Sequence, residues 1–599
     1  MPDTTPPDTS RPVLVLDADQ PSALAIVRSL SRRGLTVHVA AAQDQPLAGY
    51  SRHAHTRLRY PDPLRAEADF IAWLDGLLRT GRYMPVIPVT ERSLVPILRH
   101  RAQLPDQAIA MAPSAALEQA LDKDRTVQLA QSLGIPVPRS VSVTSLDQLP
   151  EAAAALGYPV VVKPARSVGQ DATQGVQLSV SYAHGDAELQ TQVRHALRYG
   201  GVILQEYFRG DGVGIELIAD RGELRYAFQH KRLHEVPLTG GGSSLRVSEA
   251  VAAPLLQASR QLVRAMGWHG VAMVEFKLQP ASGEFRLMEI NGRFWGSLPL
   301  AIAAGADFPA MLHELMTTGQ VATHPPARVG VVCRQLARDI DWLEHVLRRA
   351  APPQLVRLPE RAEVLRDSLL VFSPRHHFDV QAWRDPVPGL VDLGRIATRQ
   401  WQRVLGALRQ RRRLVREWRA GQPGGAGPRR LAQARRVLFL CYGNINRSAL
   451  AHAHAQARHP GRFELQSAGF HPVAGRPVDP VMAEVAAAQG LDLQGRQSCT
   501  LSAAMVAQSD LILVMETSHL DRLLQEHPGA QGKAFLLGAA SARGRHEAEV
   551  VDPYGQPRPT YERVYRQVTA AVDAWFAAGT ATSASVAPAA RPNQPASRA

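Results

Sequence analysis

Cysteine is nearly absent: Cys333, Cys441 and Cys499 are the only three in 599 residues. They are too few and too scattered for a disulfide framework or a zinc site, and this scarcity points to a reducing compartment, the cytoplasm. No apolar run is long enough to span a bilayer; the best candidate, "LPLAIAAGADFPAML", carries Asp307 inside it. The opening "MPDTTPPDTSRP" lacks the basic and apolar regions of a signal peptide and reads as a disordered leader over 1–11. There is no GxGxxG turn, so no dinucleotide site is indicated. Acids are outnumbered, 54 against 68 Lys and Arg, which leaves a formal net charge of +14.

Hydrophobic residues make up 45% of the chain and charged residues 20%, as in an ordinary globular protein. A chain of this length divides into several domains. Much of the basic excess lies in "RQWQRVLGALRQRRRLVREWRAGQPGGAGPRR", where Arg409, Arg411, Arg412, Arg413, Arg416 and Arg419 face the single acid Glu417. Trp401, Leu405, Leu408, Val415 and Trp418 recur near helical spacing, so 395–434 reads as a basic helical linker. Two readings of that helix remain open. In the favoured one its aromatics pack on a neighbouring domain; in the other it makes a weak contact with an anionic membrane. No specific nucleic-acid partner is expected.

The linker ends in "GQPGGAGP", a flexible boundary by composition, and 435–577 then reads as one domain before a disordered tail, 578–599. At the other end, "PVLVLDA", "QPSALAIVRSLSRRG" and "LTVHVAA" form a strand, helix, parallel strand unit, with "MPVIPVT" and "AIAMAP" as further strands. Residues 12–118 are therefore a small α/β domain, 119–325 an α+β domain with glycine-bearing loops, and 326–394 an associated region without recognisable chemistry.

A metal-free attack on a phosphate ester needs a nucleophile, an anion cradle and an acid. In "VLFLCYGNINRS" a strand ends at Cys441, and Tyr442, Gly443, Asn444, Ile445 and Asn446 curl into a helix starting near Arg447 or Ser448. Such a turn points successive N–H groups into one concavity that fits phosphate. Arg447 adds a planar fork for two phosphate oxygens, and the positive surroundings favour the thiolate, the nucleophilic form. Ser448 can donate to that thiolate. In "EVVDPYGQP", Asp552 is a candidate acid for the leaving oxygen, and Tyr554 a candidate wall for an aromatic slot.

With "QSAGF", "SDLILVME" and "DPYGQP" following in order, the domain resembles the low-molecular-weight protein tyrosine phosphatase family over about Arg436 to Phe576. The resemblance implies a parallel-sheet α/β fold, Cys441 as nucleophile through a thiophosphate intermediate, Arg447 as phosphate clamp, Asn444 and Ser448 as loop supports, Asp552 as general acid, and no cofactor. One position departs: Asn446 stands where a second cysteine is often found, which removes a protective disulfide and lets oxidation of Cys441 run on to irreversible states. Thiol-dependent arsenate reductases share the fold but need two further cysteines, and only Cys499 is available here.

The second chemistry lies upstream. In "LMEINGRFWGS", Glu289 and Asn291 are two apart on a strand and share a face, and Glu275 sits on the preceding strand of a hairpin. Two acids and an amide make a hard oxygen site suited to Mg²⁺, with Arg293 facing the same phosphates. Lys163 ends the apolar strand "YPVVVKPA" beside a loop, "ARSVGQDATQGV", that can fold over a triphosphate, and Lys123 opens a helix as a second phosphate-side lysine. Backbone groups of Gln205, Glu206, Tyr207 and Phe208 can pair with adenine, and Glu206 or Asp211 can reach polar groups of the nucleotide.

Taken in order, these pieces resemble the ATP-grasp superfamily over about 12–325, and "QHKRLHEVPLTGGGSSLRVSE" is similar to its carboxylate–amine ligase branch. That resemblance implies ATP and Mg²⁺, an acylphosphate, and capture by an amine or thiol. Arg232, His234 and the "TGGGSS" loop are candidates for the acceptor side, with a mobile lid as the equal alternative for the loop. The expectation is a bifunctional cytoplasmic enzyme acting on unidentified carboxylate and amine substrates and on a phosphotyrosine protein, with a bacterial tyrosine kinase as candidate. Two alternatives stay open: a nucleotide-sensing module that regulates the phosphatase, and a non-catalytic phosphotyrosine-docking scaffold.

Overall fold

The structure, a computed structural model, describes residues 11–105, 108–164, 168–170, 175–177, 180–197, 200–348 and 358–584. Its chain divides into two compact units, Met1–Thr398 and Arg399–Ala599.

The N-terminal unit opens with a parallel sheet in the order Thr56–Arg59, Val37–Ala41, Val13–Val15, Val86–Ile87. Val13 pairs with Val37 and Leu14 with Val86, and the two central strands are buried throughout, as a parallel sheet covered on both faces requires. The helix Pro21–Arg32 crosses between them and stops at Gly34, whose φ of 83° suits the left-handed cap. "AIAMAP" does not form the expected strand. Ile109 makes one bridge to Val86, after which the chain turns through Pro113 into the helix Ser114–Leu121. Thr56–Arg59 was not anticipated, because its outward side chains are charged and its apolar content is low.

An antiparallel sheet follows, ordered Ser140–Val143, Val202–Glu206, Val160–Pro164, Ser181–Ala183. Val168–Gln170 and Gly175–Gln177 pair with each other, while 165–167 and 171–174 of the glycine-bearing loop lie outside the described residues. The largest sheet has seven strands, ordered Phe285–Asn291, Gly270–Leu278, Asp211–Asp220, Glu223–Val236, Gly242–Glu249, Val332–Arg334, His376–Phe378.

Its last two strands come from 326–394, and this region is tied to the earlier chain by buried charge. Arg28 Nε pairs with Asp385 at 2.8 Å, across 357 residues, with both groups under a tenth exposed. Arg246 pairs with Asp379 at 2.5 Å with 1% exposure on each side. Removing one partner of such a pair strands a buried charge at a cost of about 3–5 kcal/mol, so these contacts fix where the late segment sits.

In the C-terminal unit four parallel strands run Glu464–Gly469, Arg436–Cys441, Leu511–Val514, Ala534–Leu536. The first strand in sequence is central, and the chain leaves it in opposite directions to its two neighbours, so its carboxyl end is the topological switch point where crevices form. Cys441 is the last residue of that strand, and the helix Arg447–Arg458 follows.

The basic segment is helical from Pro386 to Gly421. In it Trp418 donates its indole N–H to the Ala542 carbonyl at 3.1 Å and packs on the apolar core of the C-terminal unit, whereas Trp401 is 64% exposed. The following Gly/Pro stretch is packed rather than loose. The helix Ala426–Gln433 buries Gly427, Pro428 and Leu431, and a Cβ on Gly427 would stand 2.3 Å from the Trp575 ring. No described helix is long and apolar enough to cross a membrane.

Candidate active sites

In the N-terminal unit a cavity of about 730 Å³ is walled by Lys163, Gln205, Glu206, Tyr207, Phe208, Glu275, Glu289, Asn291 and Arg293. Glu275 and Glu289 are cross-strand partners. Asn291 reaches both, its Nδ2 donating to Glu275 Oε1 and to Glu289 Oε1 at 3.2 Å each. Arg232 Nη2 stands 2.6 Å from Glu275 Oε2, and its Nη1 donates to the Gly241 carbonyl at 2.9 Å. Burial pushes the Glu275 carboxyl up, Arg232 opposes this, and Glu289 adds to it. Burial works against the charged form of Arg232, but Glu275 and Glu235 outweigh it and hold the guanidinium above its ordinary value. Among the described residues Glu289 makes no ion pair, and no three His, Cys, Asp or Glu side chains gather into a metal cage.

Lys163 donates to Gln205 Oε1 at 2.6 Å, and Gln205 in turn donates to Ser140 Oγ at 3.0 Å. Burial, with repulsion from Lys123 and against the pull of Glu289, lowers the Lys163 ammonium to about 8. Lys123 opens the helix Lys123–Ser132 and lines a smaller recess that it shares with Lys163, Gln205 and Glu289. Phe208 lies under the Arg286 guanidinium, 4.6 Å from ring centre to carbon, and Tyr207 meets Tyr182 edge to face. Glu206 is held by Arg139 at 2.5 Å, and Arg293 by Glu91 at 3.0 Å.

Two sequence-based assignments are corrected. Asp211 does not line the cavity; its neighbour Gly212 does, so the strand's alternation points Asp211 away, where it pairs with Lys231 at 2.5 Å. His234 is not on the acceptor side either. Two residues from Arg232 it should share a face, but the strand's register shifts on both sides of His234 and turns it inward. There it contacts Asp339 at 2.7 Å and Asp367 at 3.2 Å and stacks on Trp342 at 3.4 Å. The glycine loop contributes Gly240, Gly241, Gly242 and Ser243 to the cavity wall. Gln20, Thr90, Glu91 and Arg92 from the first domain, and Gln335 and Arg338 from the late segment, also line it. No local motif marked any of these.

In the C-terminal unit Cys441, Asn444, Asn446, Arg447 and Ser448 are all buried, while Tyr442 and Tyr554 are about half exposed. The Asn444 backbone N–H donates to Cys441 Sγ at 3.1 Å, and Ser448 Oγ lies 3.0 Å from the same sulfur. Asn444 adopts φ 53°, a left-handed turn that asparagine tolerates, and it braces the loop by donating from Nδ2 to Ser448 Oγ at 2.8 Å and accepting the Cys499 N–H at 2.7 Å. Gly443 carries its loop position with its carbonyl taken by Arg476 at 2.5 Å, and Ile445 accepts the Asp479 N–H through its carbonyl at 3.0 Å. Both amide atoms of Asn446 are buried without a partner among the described residues.

Arg447 spans the site: Nη2 lies 2.7 Å from Asp552 Oδ2, and Nη1 donates to the Val550 carbonyl at 2.8 Å and to Glu516. Burial alone would raise the Glu516 carboxyl, but its contacts with Arg447 outweigh that and hold it below the usual range. Burial and the Arg447 charge push nearby His519 down to about 4, so it is neutral at physiological pH. Glu516 closes "SDLILVME", yet nothing in that string marks it as the partner of Arg447.

Comparison with known proteins agrees with this division. Residues 436–585 match the family described as low molecular weight phosphotyrosine protein phosphatase. Residues 200–338 match "ATP-grasp in the biosynthetic pathway with Ter operon", and 122–221 the carbamoyl-phosphate synthase L chain ATP-binding domain. Over 139 residues the chain is 34% identical to the low molecular weight protein-tyrosine-phosphatase Wzb of Escherichia coli, covering 23% of this chain and 91% of Wzb. It is 32% identical to the probable phosphatase EpsP of Ralstonia nicotianae, covering 23% of this chain and 92% of EpsP. A biotin carboxylase complex from Campylobacter jejuni aligns at 14% identity over 54% of this chain and 75% of that one, with a TM-score of 0.45. Through its C-terminal domain the chain belongs to the low-molecular-weight protein-tyrosine-phosphatase family, and ahead of that domain it carries an ATP-grasp ligase-type domain.

Proposed function

We propose that the chain is a bifunctional cytoplasmic enzyme, hydrolysing phosphotyrosine at Cys441 and joining a carboxylate to an amine or thiol in the ATP-grasp cavity. The observation that carries the first half is the sulfur of Cys441 held between the Asn444 N–H and Ser448 Oγ, in the same loop as the buried Arg447 that pairs with Asp552. The phosphate takes the place beside Arg447 now held by Asp552, bound by the guanidinium fork and the loop N–H groups. The thiolate attacks phosphorus, the S–P bond forms as the P–O bond to the aryl group breaks, and Asp552 gives its proton to the departing oxygen. Water then attacks phosphorus, Asp552 takes its proton, and the S–P bond breaks to return the thiolate. No cofactor takes part. The proposed partner is a phosphotyrosine protein, with a bacterial tyrosine-kinase tail as the first substrate to test.

In the other half, a substrate carboxylate attacks the γ-phosphorus of ATP, ADP leaves, and an amine or thiol displaces phosphate from the acylphosphate. Lys163, assisted by Lys123, holds the phosphates, Arg293 faces the same group, and the segment from Gln205 to Phe208 seats the adenine. Glu275, Glu289 and Asn291 would hold Mg²⁺. This donor set fits the ion, being hard oxygens with Glu289 free of any ion pair among the described residues. Bound there, Mg²⁺ supplies positive charge against the transferring phosphoryl group.

The test uses Cys441→Ser protein, which cannot consume phosphorylated intermediates. ADP release from Mg-ATP is screened over paired carboxylates and amines, and Glu289→Ala must lower whatever appears by about 100-fold. ATP binding without ADP for any pair would leave a nucleotide sensor instead.

A further inference from the structure

Among the described residues, every arginine that lines the ATP-grasp cavity has an acidic partner, with one exception. Arg232 meets Glu275 and Glu235, Lys277 meets Glu235, Arg293 meets Glu91, and Arg92 lies between Asp19 and Asp62. Arg338 lines the same cavity, is exposed to it, and makes no hydrogen bond or ion pair among the described residues.

Its position is built rather than accidental. Arg338 lies in the first turn of the helix Leu336–Leu347. The next residue, Asp339, accepts from Ser244 Oγ at 2.9 Å and from Arg334, and contacts His234 at 2.7 Å. Trp342, one turn on, stacks flat on the His234 ring. That buried knot fixes the helix start against the strand Gly242–Glu249. The guanidinium then lies over Gly242, where a Cβ would stand 1.7 Å from Arg338 Nη1. At the neighbouring glycine, Arg232 Nη1 donates to the Gly241 carbonyl at 2.9 Å. Two guanidinium groups therefore meet the Gly241–Gly242 pair, one at each glycine. Arg232 is paired with Glu275 and Glu235, whereas Arg338 makes no ion pair among the described residues. Partial desolvation in the cavity wall and repulsion from Arg246, against the weaker pull of Asp379 and Asp341, hold Arg338 below the ordinary guanidinium value, a cost that an incoming anion would relieve.

We propose that Arg338, seated over Gly242, anchors an anionic group, a carboxylate or a phosphate, carried by the acceptor amine. This rests on the ligase reading above and narrows it: the acceptor is an acidic amine, bound by its anion at the Gly242 end of the cavity. The planar fork binds either anion in bidentate fashion. Because the anchor acts on a group that does not react, its loss raises the acceptor KM with kcat little changed, by about 10- to 100-fold for a charged hydrogen-bonded contact.

Three acceptors that share one amine separate the cases: β-alanine with a carboxylate, 2-aminoethyl phosphate with a phosphate, and ethanolamine with neither. The first arm needs no turnover. Full-length protein is treated with phenylglyoxal, and labelling of Arg338 is followed by peptide mass spectrometry. The expected result is labelling slowed at least about fivefold by β-alanine or by 2-aminoethyl phosphate, the stronger of the two identifying the anion, and not by ethanolamine. Equal labelling with all three overturns the proposal.

The second arm measures ADP release in the Cys441→Ser background with each acceptor and a carboxylate panel. Arg338→Ala should raise KM for the anionic acceptor, and Gly242→Ala, which keeps the charge but displaces it, should do the same. ADP release with unchanged KM in both variants overturns the anchor and leaves the ligase standing. Protection of Arg338 with no ADP from any pair keeps the anchor and overturns the ligase.

Discussion

The two sites solve the problem of holding phosphate in opposite ways. The phosphatase site is one turn of backbone: a contiguous loop sets the Asn444 N–H and the Ser448 hydroxyl against a single sulfur, and the arginine of the same loop reaches Asp552 and Glu516. The ATP-grasp cavity has almost no such economy. Its groups come from many separate stretches of the N-terminal unit, from Gln20 to Arg338, and its charged side chains restrain one another. A contiguous site concentrates its chemistry in one residue, whereas a dispersed site spreads it over many replaceable ones.

The sharpest way to break this contrast is at the nucleophile. Cys441→Ser should lower kcat on an aryl phosphate by on the order of 10³-fold or more, with the fold intact by circular dichroism. Residual activity within tenfold of the parent would mean that the sulfur is not the nucleophile. In the cavity, Glu289→Ala should cost about 100-fold in ADP release and leave the phosphatase rate unchanged. A loss in both assays would show the units to be less separate than their cores.

The pH dependence differs as well. Lys163, lowered to about 8, is charged below that pH and neutral above it. Bound phosphate favours the ammonium, so ATP affinity should fall as pH rises from 8 towards 10, by up to about tenfold per unit, with proton uptake visible by calorimetry in buffers of different ionisation heat. Lys163→Arg should flatten that profile. For stability the sign is opposite: the unfolded lysine keeps its proton up to about 10.5, so raising pH through 8 to 10 removes a buried-charge cost and stabilises the unit. The smallest effect is mechanical. Gly427→Ala places a Cβ against Trp575 and should destabilise the C-terminal unit by about 1–3 kcal/mol in urea titration without changing kcat.

The same contrast decides what could be read in the sequence. The phosphatase loop was legible because its parts are consecutive, and the strand and helix around Cys441 follow from "VLFLCYGNINRS" alone. Glu275, Glu289 and Asn291 were legible because strand periodicity places them on one face, and the hairpin brings them together. His234 was misread because that same periodicity fails at a bulge, which composition does not reveal. Asp211 was misread by one residue of alternation. Arg338 and Glu516 had no local signal, since each acts through a neighbour brought in from elsewhere in the chain. The Gly/Pro stretch looked loose because composition records freedom in the unfolded chain, not the close approach of Gly427 to Trp575.

The bond between Arg28 and Asp385 also sets a clock. At translation rates of about 5–20 residues per second, the 357 residues between them take roughly 20 to 70 seconds to emerge from the ribosome. Throughout that interval Arg28 has no native counter-charge, and from the synthesis of Gly242–Glu249 until that of Val332–Arg334 the edge these strands share lies open. The N-terminal unit thus completes its largest sheet only when Val332–Arg334 and His376–Phe378 have been made, whereas the C-terminal unit assembles its sheet from strands that follow one another within a single domain.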